Sequence, residues 1–194
     1  MTLLERVATS PLNYRATFVV DPLAALGFAY YGAISFDGPV AAAMACVAAG
    51  FLAWGLLEYL LHRFLLHGVL EAPRREHARH HGEPKAEIGT PLLVIPIGAL
   101  IIHFAIALVL DAGAAALLTC GIYAGYNYFA IVHHLLHHRP DALARSRWFE
   151  AQLRFHDAHH RHPGHHFGIS SALWDRLFGT FLQHEQIVVK QPRR

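Results

Sequence analysis

From Ala112 to Val132 the chain carries no charged residue, and two other stretches are nearly as bare. Pro39 to Leu57 is uncharged and continues past Glu58 into Tyr59–Leu61, and the one ionisable residue between Thr90 and Leu110 is His103. About 20 apolar residues in a helix cross the hydrocarbon core of a bilayer. Charged residues make up 15% of the chain, against a usual share of about 25%. Lipid is therefore the expected solvent for much of this protein, and the fold class is all-α and membrane-integral.

A fourth span is expected over Ala16–Phe36, where Asp21 as N-cap and Pro22 as first helical residue would start a short, tilted or partly interfacial helix. The spans are thus placed at about 16–36, 39–61, 90–110 and 112–132. Two short connections, Asp37-Gly38-Pro39 and Asp111-Ala112-Gly113, would join them into two hairpins. All 16 Lys and Arg residues fall away from those turns. Cytoplasmic segments concentrate Lys and Arg, so a multi-pass protein of the cell membrane is expected, with both termini and the segments 62–89 and 133–194 cytoplasmic. The first fifteen residues carry Glu5, Arg6 and Arg15 and lack the apolar core of a cleavable signal. The first span is expected to do the targeting.

Outside the spans, helices are expected over Pro73–His81, over Asp141 to about Arg161, and as an amphipathic piece over Ser171–Phe178. Residues 1–194 then form one membrane-embedded domain with a cytoplasmic helical cap. A net charge of +2 without a basic run gives no case for nucleic acid. Cys46 and Cys120 both sit in apolar runs, as small buried residues would, and imply no disulfide framework.

The chain has 17 histidines, and all but His103 lie at or beyond the basic ends of the spans. They fall in groups: His62 and His67 (HxxxxH), His77, His80 and His81 (HxxHH), His133 and His137 within HHLLHH, and His156, His159 and His160 (HxxHH). The second half repeats the first: a pair at a span's end, then a triplet on a helix. Residues i, i+3 and i+4 share a helix face, and adjacent members diverge by about 100°, which suits two neighbouring metals. His62 and His67 lie about 140° apart on an ideal helix and fit best where the helix ends, before Gly68. Ten imidazoles are enough for two ions with about five nitrogens each, and imidazole suits iron, zinc, copper or nickel.

With EYLLHRFLLH at 58–67, HARHHGEP at 77–84, HHLLHH at 133–138, HDAHH at 156–160 and FGISSALWDRLFGT at 167–180, the chain resembles the fatty acid hydroxylase and sterol desaturase superfamily of membrane di-iron enzymes. It is most similar to fatty acid 2-hydroxylases, whose signatures include EYxxHRFxxH and a closing WDxxFGT. The resemblance implies His62, His67, His77, His80, His81, His133, His137, His156, His159 and His160 as catalytic metal ligands. His134 stands where such proteins often carry Tyr, which selects His133/His137 over His134/His138. His166 stands where they usually carry Asn, and the step from His67 to His77 is shorter than in 2-hydroxylases.

The resemblance further implies two iron ions, with zinc as a substitute on purification, and O2 as co-substrate for hydroxylating a lipid acyl chain. No flavin, nicotinamide or iron–sulfur motif occurs, so a separate electron donor is expected, a ferredoxin or cytochrome docking on Arg74, Arg75, Arg79, Arg145, Arg147 and Arg154. A carotenoid ring hydroxylase and a sterol or acyl desaturase are the alternatives within the superfamily. A His-rich membrane transporter or metal-binding protein is the rival of another class; it would place polar ligands near the bilayer midplane, where only His103 falls. Glu58 is expected to accept from an imidazole N–H. Tyr126, Asn127 and Tyr128 are candidates to line a substrate channel or to anchor the helix at the interface, and Trp174 and Asp175 are taken as packing residues.

Overall fold

The computed structural model describes residues 3–183, which are helical with no strand among them. Eight α-helices follow in order: α1 (Leu3–Ala8), α2 (Pro11–Ser35), α3 (Val40–Leu60), α4 (Glu71–Gly82), α5 (Val94–Ile106), α6 (Ala112–His138), α7 (Arg147–Arg161) and α8 (Leu173–Leu177). A π-helical turn, Leu61–Leu66, continues α3, and a 3₁₀ turn, Asp141–Leu143, follows α6. The chain forms two compact units. One comprises the described residues up to Trp54 together with Ala86–Ile131; the other comprises Gly55–Lys85 with the described residues from Val132 onward.

Among the described residues, three helical stretches are long and apolar enough to cross a membrane: Pro11–Ser35, Val40–Leu66 and Ala112–His138. Two of the expected spans are corrected. The first helix does not start at Asp21-Pro22. It starts at Pro11, capped by the Ser10 side chain, and runs through Pro22. A transmembrane helix tolerates an interior proline when neighbours take up the freed polar groups, and the Asp21 carboxylate is engaged elsewhere, accepting from the Tyr123 hydroxyl at 2.6 Å. The expected span over 90–110 contains only the 13-residue α5, roughly 20 Å long against a core of about 30 Å. Pro91 precedes it, Pro96 occupies its first turn, and residues 107–110 turn away.

In the first unit, α2 and α5 lie side by side in the same direction. Asn13 at the start of α2 donates to the Thr90 carbonyl at 3.0 Å and accepts from Leu92 N–H at 2.8 Å. At the far end a Cβ on Gly113 would collide with the backbone of Ser35 and Phe36. The two basic-free connections therefore sit together. Helices α3 and α6 also run parallel: a Cβ on Gly50 would strike the Leu118 carbonyl, and further along both helices one on Gly125 would strike the Trp54 side chain. Small residues at such crossings let backbones approach where no hydrophobic drive exists between helices. The pair α5–α6 thus repeats the pair α2–α3.

The second unit carries the HxxHH helices. Helix α4 exceeds the expected Pro73–His81 by a residue or two at each end. The helix expected from Asp141 is interrupted: a 3₁₀ turn comes first, and α7 begins only after Ser146, whose hydroxyl accepts from Phe149 N–H at 3.3 Å.

Candidate metal centre

All ten histidines singled out above lie in the second unit, and they converge in two groups of five. His62, His67, His77, His81 and His159 form one, and His80, His133, His137, His156 and His160 the other. In each group the five candidate ligand nitrogens lie within 4.8 Å of one another. Each group takes a pair and the outer two members of a triplet from its own half of the chain. The middle member crosses over: His80 joins the second-half histidines and His159 the first-half ones. The divergence of i+3 from i and i+4 around a helix accounts for this exchange. His134 and His138 belong to neither group and face each other, ring centroids 4.2 Å apart.

The first pair depends on the π turn. His67 N–H donates to the His62 carbonyl at 3.0 Å, an i→i+5 bond. It brings two residues five apart onto one face, which an α-helix cannot do. The second pair, His133 and His137, sits in the last turns of α6 at ordinary i, i+4 spacing, with Nε2 atoms 3.0 Å apart.

The nitrogen contacts test whether a cation fits. In the first group Nε2 atoms approach at 3.0 Å (His62–His77), 2.9 Å (His77–His67) and 3.1 Å (His67–His159, His159–His81 and His81–His77). His62 Nδ1–H donates to the Phe167 carbonyl at 2.6 Å, and His159 Nδ1–H to the His165 carbonyl at 2.8 Å. In a neutral imidazole that leaves Nε2 as a lone pair. His67 and His81 would then both have to donate to His159. If His77 donates to His62 it meets His67 and His81 proton to proton; if it accepts, it meets the His62 lone pair. No set of neutral tautomers satisfies these contacts, whereas five lone pairs around one cation satisfy them together.

The second group is crowded in the same way. Its Nε2 atoms approach at 2.9 Å (His137–His156) and 3.2 Å (His156–His160), and the buried Nε2 of His80 has no hydrogen-bond partner among the described residues. The groups are neighbours: the rings of His81 and His160, one from each, stack at 4.3 Å. Burial first, then repulsion from adjacent rings, pulls the imidazoles well down in pKa: His67 to about 4, His80 to about 2, His160 to about 3, with His77, His156 and His159 also far below the ordinary value. Neutral nitrogens are what a metal requires.

Sequence patterning singled out Glu58 as an acceptor for an imidazole N–H but missed the backbone support that it gives, with Asp175, beneath the first group. Glu58, buried at 3% exposure, accepts from the backbone N–H groups of Ile169 and Ser170, the latter at 2.8 Å. Fully buried Asp175 accepts from Phe167 and Gly168 N–H, both at 2.8 Å, and from the Thr180 hydroxyl at 2.7 Å. Arg63 donates to the Tyr59 hydroxyl at 2.6 Å, and Tyr59 and Thr180 share a hydrogen bond at 3.1 Å. The EYLLHRF and FGISSALWDRLFGT signatures therefore hold each other, and the signal was their joint wealth of buried polar residues. Asp175 is more than a packing residue. His166 adopts a positive φ of 58°, a conformation in which Asn and His are enriched; that is the physical reason either residue serves there.

Other candidates lie apart from the two groups. Tyr126 packs edge-on against Trp54, Asn127 donates to the Tyr123 carbonyl one turn back at 3.0 Å, and Tyr128 contacts Phe51, all within the first unit. His103 is buried between Phe28 and Tyr31 and lines an apolar groove of α2 and α5. Three of the six arginines considered for donor docking pair with acids on their own helices: Arg75 with Glu71, Arg79 with Glu76, and Arg154 with Glu150.

Known proteins share both sequence and architecture with this chain. Residues 47–180 match the fatty acid hydroxylase family. The dihydroceramide fatty acyl 2-hydroxylase FAH2 of Arabidopsis thaliana is 36% identical over 148 residues, 69% of this chain and 59% of that protein. The fatty acid 2-hydroxylase of Rattus norvegicus is 29% identical over 151 residues, 70% of this chain and 39% of its own length. The ceramide very long chain fatty acid hydroxylase scs7 of Schizosaccharomyces pombe is 29% identical over 192 residues, 91% of this chain and 52% of its own. This chain thus spans less than two thirds of each of these relatives. The structure of full-length scs7p, in which only the hydroxylase domain is visible, shares the fold with a TM-score of 0.72 at 22% identity, over 94% of this chain and 70% of that one. The match over residues 47–180, which takes in every histidine of both five-membered groups, shows that the chain belongs to the fatty acid hydroxylase family.

Proposed function

We propose that this protein hydroxylates the acyl chain of a membrane lipid with O2, using two iron ions, one held by each five-histidine group. The observation that carries the proposal is the pair of groups itself: ten imidazoles gathered in two clusters of five, the first with contacts that no set of neutral tautomers satisfies and one cation would. Iron at these positions supplies O2 activation and attack on an unactivated C–H bond, in the balance RH + O2 + 2 e⁻ + 2 H⁺ → ROH + H2O. The relatives named as fatty acyl and ceramide 2-hydroxylases make a free or ceramide-linked fatty acid the substrate class, with C2 as the position.

The chain's own part is to hold and to shield. His62 and His159 are fixed in one tautomer by backbone carbonyls, which orients their Nε2 lone pairs. The Phe167 ring lies edge-on to His62 and His67 and tilted against His159, at 5.7–5.9 Å, and keeps water from that side. Electrons come from a separate ferredoxin- or cytochrome-type protein. Arg74, Arg145 and Arg147 complete the basic surface it would meet; the arginines paired with their own acids contribute less. The full topology proposed is four spans in two hairpins with the metals and both termini on the cytoplasmic side of the cell membrane, and α5 as the short span.

The test is lipid mass spectrometry of a host with and without the gene, and with His159→Ala. A +16 Da product on an acyl chain that needs His159 supports the proposal. A −2 Da product would make the protein a desaturase, and no change in any acyl lipid would overturn it.

A further inference from the structure

The two five-histidine groups are alike in composition but not in what braces them. Segment 165–170 follows the second HxxHH triplet. Its carbonyls at His165 and Phe167 take the Nδ1–H of His159 and His62, both members of the first group. Four successive N–H groups of the same segment, from Phe167 to Ser170, end on two buried carboxylates, Asp175 for the first two and Glu58 for the last two. The carboxylates fix the backbone, and the backbone fixes the imidazoles. In the first half of the chain the triplet is followed by Gly82–Lys85 and then by residues of the other unit, and in the second group the buried Nδ1 of His156, the atom that carbonyls hold in His62 and His159, has no hydrogen-bond partner among the described residues.

We infer that Asp175 and Glu58 are positioning residues for one metal ion only, that of the His62/His67/His77/His81/His159 group, and that this ion is the more firmly held of the two. The inference rests on the two-metal reading above. Asp175 is the sharper probe because both its oxygens are used: Oδ1 accepts from Phe167 N–H and the Thr180 hydroxyl, Oδ2 from Gly168 N–H. Asp175→Asn turns an amide N–H₂ towards a backbone donor while keeping the side chain's shape. Segment 165–170 then loses its register, and with it the aim of the His62 and His159 lone pairs. Outer partners of metal-bound histidines typically change affinity about 10- to 100-fold.

The experiment is zinc binding to the purified full chain, read by elemental analysis and by competition with a chelating dye. Wild-type protein is measured first; fewer than two zinc ions per folded chain would overturn the two-metal reading itself, whatever the variants show. Given two, Asp175→Asn should weaken one binding class at least tenfold and leave the other unchanged. Combined with His160→Ala it should lose both classes, whereas combined with His81→Ala it should lose no more than His81→Ala alone. Equal weakening of both classes in a chain that keeps its helical circular dichroism, or unchanged binding, overturns the inference. If Asp175→Asn does not fold, Thr180→Val takes its place, since it removes one of the three donors on Asp175. Selective weakening of one class then supports the inference, and equal weakening or none overturns it.

Discussion

The imidazoles of His81 and His160 lie stacked, ring centroids 4.3 Å apart and planes inclined by 27°, although they belong to different five-histidine groups. Two rings so placed cannot both carry a proton cheaply, and burial disfavours the charged forms further. The stack therefore ties the protonation of one group to that of the other, with consequences for metal removal and for acid.

Removing metal should destabilise the protein and removing it from either group should disturb the other. Folded protein is expected to hold two ions per chain by elemental analysis, and a chelator should lower Tm. An ion that binds the native state alone stabilises by RT ln(1 + [L]/Kd), about 4 kcal/mol at a thousandfold excess over Kd. A single melting transition that ignores the chelator would count against the assignment.

Acid should destabilise the metal-free protein. Burial and neighbouring rings hold His67 near 4, His160 near 3 and His80 near 2 when folded, against an ordinary value of about 6.5 in the unfolded chain. Below about pH 6.5 the unfolded state binds more protons, so stability falls as pH falls. Tm should be flat above about pH 7 and drop steadily from about 6.5 through 4. A Tm that rises on acidification would contradict neutral, buried rings.

The crossed triplet members give a prediction about sites. His80→Ala and His159→Ala should each abolish turnover and remove at least one ion, although each comes from the half of the chain opposite to most of its group. His134→Ala should leave metal content near wild type, since His134 faces His138 outside both groups. His133→Ala should be far worse. The reverse ranking in metal analysis would shift the α6 ligands by one residue. His184, a natural control near the C-terminus, lies outside the described residues.

Topology is testable by cysteine labelling in a Cys46→Ala/Cys120→Ala background. Gly113 is unsuitable as a site because a Cβ there collides with the Ser35–Phe36 backbone. Asp37→Cys and Ala112→Cys should react with a membrane-impermeant thiol reagent on intact cells, and Glu83→Cys should not. Labelling at 83 from outside would put the histidines opposite a cytoplasmic electron donor.

The histidine spacing made the ten candidate residues legible, because i, i+3, i+4 repeats translate directly into shared faces. It also implied two metals through the angular divergence within each triplet. Apolar runs gave the long helices but misjudged their ends. Pro22 looked like a start because proline is costly inside an isolated helix, and the partner that relieves Asp21, Tyr123, is 102 residues away. The Pro91/Pro96 interruption of α5 was outweighed by its hydropathy. Glu58, Asp175 and Thr180 could not be read as a unit, since Glu58 meets residues 169–170 and Thr180 meets Tyr59 across more than a hundred residues, and the bonds of Glu58 and most of those of Asp175 run through backbone N–H groups, which carry no residue-type signal.

The π turn at Leu61–Leu66 amounts to one supernumerary residue. The second half of the chain makes its histidine pair with three residues between partners; the first uses four and absorbs the surplus by widening a single turn. Glu58 and His62, one ordinary turn apart, both address segment 167–170, while His67 addresses the nitrogens of His77 and His159. Widening lets the stretch before the turn and the residue after it keep independent bearings. Deleting one residue, Leu65 for instance, would restore α-helical winding and bring His67 into step with its second-half counterpart. Because the widened turn already absorbs the surplus residue, everything after the deletion would keep roughly its present bearing relative to Glu58. The surplus residue is thus spent inside one turn, and its removal should leave the bearing of the first pair intact and the helix itself better formed.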